Sequence, residues 1–455
     1  MKKIYLILIL LISFTLTLAQ EAERKSVAVT IYNDNLAVVK DLRSFDITEG
    51  RSTIEMTDVA QMLNPATVHI GIDGEVLEQN YRYDLVSFDK ILQRYIDREI
   101  QLFNEKGEMF EGTLLSSFGG QIVLKKKDGG LMMLPSTEDY RISVTELPEG
   151  LKTRPTLIWD ILSGKSGKQD VEISYHTGGM RWSAEYVAVL SDDEKSLDLN
   201  AWVSIDNQSG ATYEDAKLKL VAGDVNRAKP VYVNGAIPKD ARTFAMVEDA
   251  GFEEQQFFEY HIYNLQRPTT ISNREKKQIT LFEADKISVN KKYLYSNSYK
   301  HGRSSGANGK IAVMLEFNNS KENNLGVPMP KGTVRVNKSD GESIEFIGED
   351  FIDHTPKDED IELYIGNAFD ITAEEKTTDT RKISQKVRET DFEITFKNHK
   401  EESVSIEVVR NIGANGKIIR GNIKEEKEDA YTVKFDVNVN ADDEFTLKYT
   451  VRYTY

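Results

Sequence analysis

The sequence predicts an all-β fold: several β-sandwich domains, a small Sm- or SH3-like barrel, and very little helix. Three observations carry this. Apolar residues recur at every second position in most of the chain, which in a strand puts them on one side of a sheet. Turn pairs such as Glu49-Gly50, Asp73-Gly74, Ser209-Gly210, Asp340-Gly341 and Asn415-Gly416 interrupt these runs at short spacing. Only one segment has the 3.6 period of a helix.

The elements follow in order. Residues 1–19 read as a secretory signal peptide: Lys2-Lys3, an apolar run from Ile4 to Leu18, and small Thr17 and Ala19 before Gln20-Glu21. Cleavage after Ala19 would release an exported chain, periplasmic, secreted or attached to the cell surface. Residues 20–84 form an N-terminal β unit, with Val27, Val29 and Ile31 sharing one face. Residues 85–150 open with the helix, where Phe88, Ile91, Leu92, Tyr95 and Ile96 follow the helical period behind Ser87 as cap. Four short strands with glycine-bearing turns come next, and Gly112 and Gly120 suit the bends of a small barrel. Residues 151–226 hold long, aromatic-rich strands of a sandwich core. Residues 227–256 are a polar, acidic loop. Residues 257–455 are strand-rich again, a C-terminal sandwich region interrupted by the Gly-, Ser- and Asn-rich stretch 296–310.

Composition narrows the function. Lys plus Arg number 58 and Asp plus Glu 74, a net charge of −16, or −18 without Lys2 and Lys3. Such a surface is a poor partner for nucleic acid. There is no cysteine, so disulfides, thiolate metal sites and cysteine nucleophiles are excluded. No segment after residue 19 has the apolar length of a membrane helix.

The block Tyr175-His-Thr-Gly-Gly-Met-Arg-Trp-Ser-Ala-Glu-Tyr186, with Leu197 to Gly210 and Tyr213 to Leu220, resembles the bacterial exported proteins classed as domain of unknown function 4139. This group includes mucoidy-inhibitor-like proteins. Asn324-Leu-Gly-Val-Pro-Met-Pro-Lys-Gly332, Gly366-Asn-Ala-Phe-Asp370 and Asn398-His-Lys400 are similar to one branch of it, and Val29 to Val39 resembles its N-terminal unit. The chain lacks the coiled coil that the mucoidy-inhibitor-like branch carries, since no apolar heptads occur. The resemblance implies a β-rich fold and no established reaction.

The search for chemistry gives little. Six histidines, none at metal-ligand spacing, offer no metal site. Gly164-Lys165-Ser166 imitates the end of a phosphate loop without its upstream glycine. Asp192-Asp193-Glu194 and Glu214-Asp215 lack the alternation of a calcium loop and read as solvated turns. No nucleophile elbow occurs. No catalytic residue and no cofactor is therefore assigned. The binding candidates are Tyr175, His176, Arg181, Trp182 and Trp202. His176 and Arg181 flank Gly178-Gly179, and the aromatic rings offer either buried sheet contacts or a stacking platform for sugar. The run Phe445, Leu447, Tyr449, Val451, Tyr453, Tyr455 fits either a soluble strand or the last strand of an outer-membrane barrel. The expectation is a non-catalytic envelope or surface protein that binds or scaffolds a protein or glycan partner. A carbohydrate-binding or carbohydrate-active protein is the alternative.

Overall fold

A computed structural model describes residues 22–148, 151–223, 225, 252–257, 260–297, 299–300, 303–304, 309–339 and 342–455. The expected signal segment 1–19 lies outside the described residues, as does most of the expected loop 227–256. The part of that loop described is a strand, Phe252–Phe257, pairing antiparallel with Tyr260–Leu265. Its own alternation is weak, and the aromatic-rich partner strand supplies the pairing.

The chain divides into two compact units. The first comprises residues up to Arg181 with Asp206–Lys219 and Arg267–Glu275. Its larger sheet has Glu23–Tyr32 and Ala37–Ile47 at the centre, Gly167–Thr177 beside the latter, and Tyr213–Ala222 beside the former. Val27, Val29, Ile31, Val39, Val171, Ile173 and Tyr175 face its core. A three-stranded sheet has Thr156–Ser163 between Gly50–Met56 and Glu75–Arg82. The central strand is buried almost throughout, and the Trp159 indole N–H donates to Gln79 Oε1 at 2.8 Å.

The helix forms as expected, over Phe88–Arg94, with the Ser87 hydroxyl accepting from the Lys90 N–H. Leu92 and Tyr95 are buried, but Phe88 is 52 % exposed, because the first turn of so short a helix overhangs the strands below. Five strands follow in the spatial order Tyr140–Ser143, Glu99–Asn104, Met109–Phe118, Gln121–Lys125, Leu131–Leu134. They share a core of Ile100, Leu102, Leu114, Ile122, Leu124 and Leu134 with the helix. The last strand returns to lie beside the first. The two end strands do not pair among the described residues, so the sheet is open there.

The second unit comprises Trp182–Ile205, Leu220–Gln266 and Lys276–Tyr455. One sheet orders Glu275–Ser288, Ser196–Asn207, Met180–Leu190, Gly332–Ser339 and Ile344–Ile352. A nine-stranded sheet starts at Gly416–Gly421 and ends at Glu426–Lys427. Only Asn422 to Glu425 separate those two end strands, a link of at most about 18 Å, so the sheet curls back on itself. Inside lies one core that includes Tyr295, Phe396, Phe435, Val437, Leu447, Tyr449 and Val451. In the strand Asp443–Thr454 the apolar residues point into this core. Lys448 and Arg452 face out and pair with Glu393 and Glu389. A barrel strand held in lipid turns an apolar side outward; in this strand the charged Lys448 and Arg452 hold outward positions instead.

Candidate functional site

Some of the residues that carry the resemblance, Gly178, Gly179 and Asn207 to Gly210, meet in a cluster of turns in the first unit. At its centre is Asn207, which is wholly buried. Its Nδ2 lies 2.9, 3.2 and 3.0 Å from the carbonyl oxygens of Ala211, Ile271 and Ser272. Its Oδ1 accepts from the Ser209 N–H at 3.1 Å and the Ser209 hydroxyl at 2.7 Å. A side chain with two donor protons and a two-lone-pair acceptor is what such a junction of backbone groups requires.

The surrounding bonds lace five chain segments together. Gly179 N–H donates to Asn35 Oδ1 at 2.7 Å, and Gln208 N–H donates to the Gly179 carbonyl at 2.6 Å. Met62 N–H donates to the Ser209 carbonyl, and Gly178 N–H to the Met62 carbonyl, each at 3.1 Å. Gly210 N–H donates to Asn273 Oδ1 at 3.1 Å. Two glycines are obligatory here. Gly179 has φ +74° and Gly210 φ +91°, and a Cβ on Gly210 would sit 2.4 Å from the Gln61 Cβ.

The sequence candidates divide by burial. Tyr175 is 1 % exposed, and burial pushes its hydroxyl well above the ordinary tyrosine range. His176, next in the same strand, points to the opposite, exposed side. Arg181 is exposed and pairs with Asp206 at 3.1 Å. In the second unit Trp182 is 2 % exposed, donates its indole N–H to the Val221 carbonyl at 3.1 Å and meets Tyr263 edge-on. Trp202 is half-buried. A sugar platform needs an open ring face, and Tyr175 and Trp182 have none. Of the two expectations for these rings, Tyr175 and Trp182 take the buried one: both fill cores.

Two of the other motifs resolve as turns, but Glu214-Asp215 does not: it lies exposed inside the strand Tyr213–Ala222, at an irregularity where Asp215 has φ +47°. Gly164-Lys165-Ser166 joins two strands, with Lys165 paired to Asp73 and Ser166 Oγ accepting from the Glu49 N–H at 2.8 Å. Asp193 accepts from the Ser191 hydroxyl at 2.7 Å, which holds its carboxyl below the usual range. Burial alone would raise the Glu194 carboxyl, but hydrogen bonds from Lys291 and Lys338 hold it low. Among the described residues no three of His, Asp or Glu converge as metal ligands. A depression of 430 Å³ in the second unit is lined by Asn290, Glu316, Asn318, Asn323 and Asp360 among others. Its polar groups bond one another: Asn318 donates to Asp360 at 2.8 Å, Lys292 pairs with Glu316, and Asn323 donates to the Ser288 carbonyl at 3.1 Å.

Sequence reasoning missed a buried ion cluster in the first unit. Asp41, fully buried, accepts from Arg43 at 2.9 Å and Arg24 at 3.0 Å, and Arg43 also reaches Asp58 at 3.0 Å. Burial would lower the Arg43 guanidinium, but the two aspartates hold it above its usual value. Asp41 and Arg43 stand two apart in an alternating strand, which is the one signal that they share a face.

The profile of the family described as Domain of unknown function (DUF4139) matches residues 171–455, well over half of the chain. The chain belongs to that family. No curated protein matches it. The DUF4139 match begins in the strand that carries Tyr175 and takes in the whole Asn207 turn.

Proposed function

We propose that this DUF4139 chain is an exported, non-catalytic protein of the cell envelope or surface that binds or holds a partner protein. One observation carries the reading: the polar side chains gathered at the turn junction are consumed by the fold. Asn207, Ser209 and Asn273 spend their hydrogen bonds on the turn junction, and Arg181 is taken up by its pair with Asp206. Catalysis by positioned groups needs convergence on a reacting atom. The leader-like segment from Met1 to Ala19 supports the compartment. A glycan partner is the weaker expectation, because Tyr175 and Trp182, two of the rings that would stack on it, are buried.

The test has two parts. Fractionation followed by N-terminal sequencing should find the chain beginning at Gln20 outside the cytoplasm. Cross-linking in intact cells should then yield one reproducible protein adduct. A chain kept in the cytosol with residues 1–19 attached refutes the location. Failure of any adduct to form, or turnover of a substrate by the purified chain, refutes the role.

A further inference from the structure

We infer that the outward face of the Ile344–Ile352 strand docks a basic, apolar-bearing segment of a partner protein; this rests on the binding reading and names the partner's chemistry. The strand is the last in its sheet order and pairs antiparallel with Gly332–Ser339. Its register places Ile344 opposite Ser339, Phe346 opposite Asn337, Glu349 opposite Arg335 and Phe351 opposite Thr333. Directly opposed residues share a face, so Ile344, Phe346 and Phe351 line one side. They are 61, 60 and 60 % exposed. The partner positions run from Thr333 to Ser339, so the strip is about 20 Å long. Half-buried Val187 and Val189 extend it, opposite Arg335 and Asn337 on the next strand.

Such a row is not an ordinary surface feature. A face turned to water should alternate polar-out, as Glu444, Lys448 and Arg452 do in the strand Asp443–Thr454. Here three of the four outward positions are aromatic or aliphatic, with Glu349 between Phe346 and Phe351, and exposed apolar side chains grouped in this way mark a docking face.

Charge selects the occupant. On the strip's own face Arg335 stands between Glu185 and Glu349, two carboxylates to one guanidinium, and exposed Glu342 and Asp353 flank the strip, while Glu345 and Asp350 lie on the other face, opposite Lys338 and Val334. The cations on the neighbouring strand are already engaged: Arg335 lies 2.7 Å from Glu185 and 3.3 Å from Glu349, and Lys338 lies 2.6 Å from Glu194. The strip therefore presents apolar side chains within a net negative field. A lysine- or arginine-bearing segment with apolar residues at alternate positions complements both.

The experiment titrates the full exported chain with three labelled ten-residue peptides, followed by fluorescence anisotropy. One alternates lysine with leucine, one lysine with serine, one glutamate with leucine. The lysine–leucine peptide should bind at least about tenfold more tightly than either control, and should weaken as ionic strength rises past about 0.15 M. The variant I344S/F346S/F351S should lose at least about tenfold in affinity with an unchanged melting curve; F346S alone serves if the triple variant melts early. Equal binding of the lysine–serine peptide, or unchanged binding by the serine variants, overturns the proposal. An in-cell adduct recovered equally from wild type and from the serine variant overturns this strip while leaving the binding role standing.

Discussion

Replacing Asn207 should cost more stability than replacing any of the exposed candidates. Its amide has two protons for three carbonyls, so two full hydrogen bonds are donated, and its oxygen accepts two more. At about 1 kcal/mol net for each buried bond, Asn207→Ala should lose about 4 kcal/mol. Asn207→Asp keeps the shape but sets an oxygen against three carbonyl oxygens. Only a protonated carboxyl can donate there, so its folded pKa should lie above the ordinary aspartate value of about 3.9. The folded variant then binds more protons than the unfolded one. Stability is present below that ordinary value and falls as pH rises through it, so the variant should be closer to wild type at pH about 4 than at neutrality. The chain has three tryptophans. Trp159 belongs to the same unit as Asn207, while Trp182 and Trp202 belong to the other. In a W182F/W202F background, Trp159 fluorescence during urea unfolding therefore reports the relevant unit. A loss below about 1 kcal/mol for the alanine variant, or an aspartate variant as stable as wild type at neutral pH, would refute the argument that this junction organises the turns.

Further outcomes follow from the same geometry. Gly210→Ala should destabilise the first unit by about 2–4 kcal/mol, since it combines an unfavourable φ with the Gln61 contact; the Trp159 transition reads it directly. Asp41→Asn should cost about 3 kcal/mol or more by leaving the buried Arg43 undercompensated, and the double variant with Arg43→Met should recover part of the loss in the same unfolding assay. Burial pushes the Tyr81 hydroxyl up to about 12. The folded state thus favours its protonated form, a contribution intact below about 10 that declines as pH rises to about 12; phenolate absorbance of wild type minus Tyr81→Phe should place the ionisation there.

Local signals in the chain were legible wherever one side of an element met water. Ser87 and the period of Ile91, Leu92 and Tyr95 announced the helix, and alternation announced strands such as Ala37–Ile47. Faces were harder to assign. Trp182 and Trp202 both stand in bulky strands, and composition does not say which ring turns inward; packing buried one and left the other half-covered. The join inside the nine-stranded sheet was not legible, because Tyr293 to Ser296 pairs in parallel with Ile406 to Val409, a partnership set by tertiary packing across a long interval. Asn207 was visible as a turn residue. Its carbonyl partners Ile271 and Ser272 lie far along the chain, and no local pattern points to them. The strand Ile344–Ile352 has adjacent apolar residues, Phe346-Ile347 and Phe351-Ile352, so its sequence does not say which side turns inward.

The Asp443–Thr454 strand sits between Val387–Asn398 and Gly416–Gly421, both of which precede it in the chain. That sheet cannot be laid down in order of synthesis. Its earlier strands must wait with a gap between them until Asp443–Thr454 arrives, so a nascent chain would expose two unsatisfied edges. A trimmed tail would leave the same seam open, and quality-control proteases should recognise chains shortened there before they recognise those altered at any surface loop.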